Sequence, residues 1–167
     1  PCRCGCPASP AVTGECCSRQ RGLARVTVTV LSGEGWRGDV LSPTDAYVKV
    51  IFGGTRAQTP TVWNNNRPRW GVRLDFGVTP LPPGARVRLE VWDEDNKWDD
   101  DFLGGCEEGL EAGGPRDVVC YPGSGRLRFR YHVTCGPALE GPGCQQYRAQ
   151  PPPGGEGVFR VSHWPPR

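Results

Sequence analysis

From Leu23 onward apolar and polar residues alternate. Val26, Val28 and Val30 fall on one side of an extended chain, and Arg25, Thr27 and Thr29 on the other. A period of two marks a strand with one buried face. Comparable runs recur at 46–52 (AYVKVIF), 56–62, 71–76 (GVRLDF), 86–92 (RVRLEVW), 116–120 and 126–133 (RLRFRYHV). Turn-forming clusters separate them: Gly53-Gly54, Asn64 to Pro68, Pro80 to Gly84, and Pro122 to Gly125. No segment sustains a 3.6-residue period. Short strands at this spacing predict an all-β fold, an eight-stranded antiparallel sandwich with little helix.

Composition adjusts this picture at the chain ends. A 37% hydrophobic fraction in 167 residues fills one modest core, and no stretch approaches the roughly 20 apolar residues of a membrane span. Any membrane contact is therefore expected to be peripheral. The formal charge of +2 argues for neither nucleic acid nor an anionic surface. The 24 glycines and 18 prolines suit turn-rich β structure with loose ends. Methionine is absent and the chain opens at Pro1 inside a Cys-rich run, so it reads as a fragment of something longer or a processed chain; no signal peptide is visible, and secretion is to be argued from the cysteines. Of its nine cysteines, Cys2, Cys4, Cys6, Cys16 and Cys17 crowd the start, and Cys106, Cys120, Cys135 and Cys144 lie in the second half. None forms a Cys-x-x-Cys pair. A disulfide framework in an oxidising compartment is the economical reading, with free cytosolic thiols the alternative. The expected units are a short disulfide-stapled segment (1–20), the sandwich (21–134), an extension (135–150) and a Pro/Gly-rich, flexible tail (151–167).

The acidic residues concentrate in two places. Asp93, Asp95, Asp99, Asp100 and Asp101 share the segment WDEDNKWDDD, and Asp39 and Asp45 bracket GDVLSPTD before the strand at 46. If both loops lie at one end of a sandwich, seven carboxylates converge. Like charges about 4 Å apart repel by on the order of 4 kcal/mol per pair at an effective dielectric near 20. Such a cluster spreads into solvent, takes up protons or binds a cation. Hard oxygen donors on loops suit calcium, and the absence of His and Cys from both loops disfavours zinc. An EF-hand is excluded because Lys97 and Trp98 stand where a ligand and a glycine are required. A glycosidase pair is disfavoured because nothing separates one high pKa from one low one. A solvated acidic turn remains the bland alternative.

Trp98 lies within the acidic segment and Trp36 just before the other loop. Either indole suits a membrane interface, apolar in body with one donor at headgroup level. The alternative is that each packs on its own loop base. Trp63 and Trp70 flank NNNRPR and are expected to brace a turn. Arg126, Arg128 and Arg130 project from one face of a predicted strand, and Arg86 and Arg88 are candidates to join them. This face is either an anionic-headgroup contact or the solvated side of a half-buried strand. The two histidines, His132 and His163, have no adjacent nucleophile, so catalysis is not expected.

Two aspartate loops at one end of an all-β sandwich resemble a C2 domain. The words CCSRQRGLA, TDAYVKVIFGG, TPTVWNNNRPRW, VRLDFG, VWDEDNKWDDDFLGGC, LRFRYHVTC and GCQQY together resemble the C-terminal part of the perforins, from the first cysteines to about residue 148. The resemblance implies the end of an EGF-like module followed by a C2 domain, in a secreted, granule-stored, pore-forming cytolytic protein of immunity. There the C2 domain makes the calcium-dependent contact with the phospholipid of the target-cell membrane, an upstream pore-forming domain precedes it, and the full-length protein oligomerises. It also implies three disulfides, Cys6–Cys16, Cys106–Cys120 and Cys135–Cys144. Cys2, Cys4 and Cys17 would pair with cysteines outside the chain.

By the same resemblance the Ca2+ ligands map onto Asp39, Asp45, Asp93, Asp95, Asp99, Asp100 and Asp101. Backbone oxygens near Gly38 and Ser42 are expected to contribute, with Asn64 from the middle loop. The membrane-contacting positions match less well. Where perforins carry aromatics, this chain has Arg37, Val40 and Asn96; Trp98 is retained and Trp36 is displaced by one residue. This implies shallower insertion, with Arg37 against phosphate. Two functions follow as expectations. One is a non-catalytic, calcium-dependent membrane-targeting module. The other is a calcium-independent protein- or lipid-interaction module using the basic strand face.

Overall fold

The structure is a computed structural model that describes residues 18–36, 43–95 and 99–147, with Pro10 and Thr13 as isolated positions. The expectations for Arg37, Gly38, Asp39, Val40, Ser42, Asn96 and Trp98, for the Cys6–Cys16 pair and for the tail lie outside the described residues. The sequence repeatedly places a β-branched residue at every second position, and the chain forms strands there. These are β1 (Leu23–Glu34), β2 (Ala46–Phe52), β3 (Thr55–Gln58), β4 (Arg69–Pro80), β5 (Arg86–Asp93), β6 (Asp101–Gly109), β7 (Gly113–Cys120) and β8 (Arg126–Cys135). Two-residue strands β9 (Leu139–Glu140) and β10 (Gln146–Tyr147) form a small ribbon beyond them. No helix occurs among the described residues.

Eight strands make two four-stranded sheets, ordered β4-β1-β8-β7 and β3-β2-β5-β6, antiparallel at every pairing. The expected all-β sandwich is the observed one. Its core is the set of inward residues that the period-two pattern marks: Val26, Val28 and Val30, Val48 and Val50, Val87, Leu89 and Val91, with Leu127, Phe129, Tyr131 and Val133 from β8. Removing this apolar surface from water stabilises the fold by about 25 cal/mol per Å2. Cys106–Cys120 ties β6 to β7, one edge strand of each sheet, and Cys135–Cys144 closes the C-terminal ribbon. Both disulfides agree with those implied by the resemblance.

The sequence pattern misses β6. In DFLGGCEEG the glycines and glutamates hide the alternation. A Cβ on Gly104 would lie 2.2 Å from the Gly123 nitrogen, and one on Gly123 would lie 2.0 Å from the Leu103 carbonyl oxygen. The glycines thus let β6 and the 121–125 turn touch through their backbones. The run expected at 56–62 is regular strand over β3; beyond it the chain stays beside β2, with the Thr59 N–H donating to the Val48 carbonyl and Val62 bridging Ala46, and turns from Trp63.

Trp36 corrects an expectation. It is 3% exposed, a core residue and not an interfacial anchor. Its indole N–H donates to the Pro122 carbonyl at 2.8 Å, and its ring lies 6.5 Å from that of Trp70. The indole occupies a slot floored by Gly33 and Gly125; a Cβ on either would stand 2.2 Å from an indole atom. Trp70 braces the turn as expected, donating to the Ala46 carbonyl at 3.1 Å. Trp63 is half exposed. In calcium-free buffer without lipid, Trp36→Ala should lower unfolding stability by about 3–5 kcal/mol, read from urea unfolding followed by circular dichroism. An unchanged midpoint would put the indole back outside the core.

Candidate functional site

Both aspartate segments lie at one end of the sandwich because of strand register. Ala46 pairs with Asp93, and Asp93 pairs with Asp101, so the start of β2, the end of β5 and the start of β6 stand side by side. Asp45 immediately precedes this row. The same end carries the described residues 35–36, 43–45, 59–68, 94–95, 99–100 and 121–125, since the strand ends they adjoin meet there.

Hydrogen bonds lock the row. The Asp45 backbone N–H donates to Asp93 Oδ1 at 2.8 Å, and the Glu94 N–H donates to the Asp45 carbonyl at 2.8 Å. The middle loop is strapped on from the other side. Thr44 N–H donates to Asn66 Oδ1 at 3.0 Å, and Asn65 N–H donates to the Thr44 carbonyl at 2.9 Å. Asn64, the expected middle-loop ligand, adopts a positive φ of 51° and donates its backbone N–H to Asp45 Oδ1 at 2.6 Å. Asparagine tolerates that left-handed conformation better than most residues. Its observed part is to aim Asp45.

The electrostatics pick out a subset of the acids. Burial raises the Asp93 carboxyl above its ordinary range, and the like charges of Asp45, Asp101 and Asp95 push the same way against the hydrogen bond from Asp45. Among the described residues no lysine or arginine lies within ion-pair distance of Asp45, Asp93 or Asp101. Asp100 faces elsewhere. Its Oδ2 accepts from the Tyr47 hydroxyl at 2.5 Å and its Oδ1 from the Asp95 N–H at 3.0 Å, which holds its carboxyl low. Burial, reinforced by Asp100, raises the Tyr47 hydroxyl pKa. Asp99 is exposed beside it.

The donor chemistry fits a hard cation: the acids offer oxygens only and are charge-crowded. Among the described residues, however, no three acidic, histidine or cysteine side chains converge closely enough to hold a metal ion. Asp45, Asp93, Asp95 and Asp101 are brought into one electrostatic group, whereas Asp100 is turned towards Tyr47.

Three exposed aromatics at this end, Trp63, Phe102 and Tyr121, were not anticipated as membrane contacts; Tyr121, in the 121–125 loop, is 68% exposed. Trp63 in the 59–68 loop and Phe102 at the start of β6 are each 49% exposed, and Phe102 meets Trp92 edge-on at 5.2 Å. Phe102 becomes visible only once β6 is known. The arginines divide. Arg126, Arg128 and Arg130 project from β8, whereas Arg86 and Arg88 lie on β5 of the other sheet. The expectation that they join is corrected, because Arg88 pairs with Glu90 at 2.8 Å and Arg86 with Glu107 at 3.4 Å on that opposite face.

Comparison with known proteins agrees with the fold. The C2 domain family model matches residues 24–120. The chain is 48% identical over 150 residues to Perforin-1 of Homo sapiens, covering 90% of this chain and 27% of that protein. It is 44% identical over 149 residues to Perforin-1 of Mus musculus, covering 89% and 27%. The chain thus spans about a quarter of the length of these relatives. A solved C2 domain superposes with a TM-score of 0.60 at 29% identity, covering 66% of this chain and 98% of that one. The calcium-bound C2A and C2B domains of Extended-Synaptotagmin 2 share the fold, with a TM-score of 0.55 at 18% identity, covering 66% of this chain and 45% of that chain. With an antiparallel two-sheet sandwich, and with the family model and long perforin-like words lying on the same strands, the chain belongs to the C2 domain family.

Proposed function

We propose that this C2 domain is a non-catalytic, calcium-dependent module for peripheral docking on phospholipid membranes. The observation that carries the reading is the group of Asp45, Asp93, Asp95 and Asp101 gathered at one end, with Asp93 held above its ordinary pKa by burial and by its acidic neighbours. These four would hold calcium together with Asp39, whose position lies outside the described residues. The bound ion would cancel the repulsion and offer an open coordination position to lipid phosphate. The chain's own residues do the rest. Asn64 and the 43–45 segment aim Asp45, while Trp63 and Phe102 present apolar surface beside the carboxylates. Similarity to Perforin-1 supports a larger setting: a secreted cytolytic protein in which this domain delivers an upstream pore-forming segment to a target-cell membrane.

Co-sedimentation with phosphatidylcholine vesicles tests the reading. Binding should appear in millimolar-range calcium, where extracellular-type sites operate, and vanish in chelator. Equal binding in both would end it. Asp93→Asn keeps the acceptor for the Asp45 N–H and removes one like charge. It should abolish the calcium response while leaving metal-free thermal stability equal to or above that of the parent chain. A large loss of metal-free stability would contradict the charge-crowding account.

The pH dependence follows from the raised Asp93 pKa. Between its unfolded and folded values the native chain holds the proton more readily than the unfolded chain, so metal-free stability falls as pH rises through that window. Calcium competes for the same oxygens. The calcium concentration giving half-maximal vesicle binding should therefore rise as pH is lowered towards the raised Asp93 value, and a flat dependence in a calcium titration at stepped pH would refute it. Trp63→Ala should weaken calcium-dependent vesicle binding by about tenfold and leave the unfolding midpoint in place.

A further inference from the structure

On the outer face of the β4-β1-β8 ladder, β1 carries an irregularity between Val30 and Ser32 in its pairing with both neighbours. Beyond it Ser32 stands level with Arg69 on one side and Arg128 on the other, and Glu34 stands level with Arg126. The small Ser32 side chain leaves a hollow between two long cationic ones. A cavity of about 200 Å3 opens there, lined by Ser32, Gly33 and Glu34 with Arg67, Arg69, Arg126 and Arg128.

Four guanidinium groups thus surround one carboxylate. Glu34 engages Arg126 directly and Arg67 at 3.7 Å. Among the described residues, neither Arg69 nor Arg128 is within ion-pair distance of any carboxylate; Arg128 feels Asp117 only at longer range. Of the neighbouring arginines on this face, Arg130 pairs with Asp117 at 2.6 Å and Arg25 with Asp75 at 2.7 Å, whereas exposed Arg73, level with Thr29, forms no ion pair among the described residues. Uncompensated charge therefore gathers at the hollow, with Arg73 further along the same face. Its position matters as well: Glu34 ends β1, Arg126 starts β8 and Arg67 belongs to the 59–68 loop. The hollow consequently opens on the flank of the end that carries the aspartates.

We propose that this hollow is a second membrane contact, a site for the phosphate of an anionic lipid headgroup held by Arg69 and Arg128 with Arg67 and Arg126. Planar guanidinium forks match phosphate oxygens in pairs. The inference rests on the membrane-docking reading above and adds to it a lipid preference that needs no metal. The bound headgroup turns the β4-β1-β8 face towards the bilayer while the aspartate end makes its own contact.

The test compares vesicles of phosphatidylcholine alone with vesicles containing phosphatidylserine, each in calcium and in chelator. The parent chain should favour the anionic vesicles in both conditions. Arg69→Gln combined with Arg128→Gln should lower binding to anionic vesicles by about thirtyfold, at about fivefold for each basic residue near the surface. Its calcium-dependent binding to phosphatidylcholine should be unchanged. Arg86→Gln combined with Arg88→Gln removes the same charge from the opposite sheet and should leave the anionic preference intact. An equal loss in both double variants would assign the preference to bulk charge and overturn the proposal. So would inorganic phosphate raising the thermal midpoint while vesicle preference is absent, which marks a soluble-anion site. Failure of the docking reading looks different, as loss of calcium-dependent binding by the parent chain to phosphatidylcholine.

Discussion

The register of β5 between β2 and β6 is the constraint on which the rest of the molecule depends. Pairing Asp93 with Ala46 and with Asp101 brings acids from two distant segments to one sheet end. A shift of one residue would send every second side chain to the opposite face, so the buried Val87, Leu89 and Val91 hold the register in place. The hydrophobic core is thereby the device that concentrates negative charge. Burial of β5 is favourable only if Asp93 stays at its end, and Asp93 there is both desolvated and surrounded by like charges.

That tension explains how the end of the sandwich is built. Among the described residues no lysine or arginine forms an ion pair with Asp45, Asp93 or Asp101. Instead, backbone N–H groups from Asp45 and Asn64 cap individual carboxylate oxygens, while Tyr47 draws Asp100 away from the group. Lys49 lies on the outer face at 4.2 Å from the Trp92 ring. What remains is an acidic group placed beside exposed Trp63 and Phe102 and flanked by the arginine hollow. The proposed metal-dependent membrane contact would use all three features together.

Much of this is legible in the sequence where one strand face is buried. The alternation in β1, β2, β5 and β8 is plain because each is a central strand facing the core. Sequence also locates the acids, since charge runs are visible without a fold. It fails where tertiary contact decides. Strand β6 is hidden by Gly104 and Gly105, whose glycine character answers to Gly123 and Arg88 across the fold. Trp36 resembles an exposed loop aromatic until Gly33 and Gly125, far apart in the chain, are seen to form its slot. Arg86 and Arg88 share the alternating pattern of the β8 arginines yet lie on the other sheet. The arginine hollow likewise depends on an irregularity in β1 that no local pattern announces.

The central claim is that one ion is shared between these carboxylates and lipid phosphate, and such sharing must be reciprocal: whatever tightens lipid binding also tightens calcium binding by the same factor. Calorimetric titration of calcium into the protein, with and without phosphatidylcholine vesicles, measures this linkage directly. The account predicts weak binding in solution and a clearly higher apparent affinity when vesicles are present. An affinity unchanged by vesicles, or no calcium binding in either case, would contradict it.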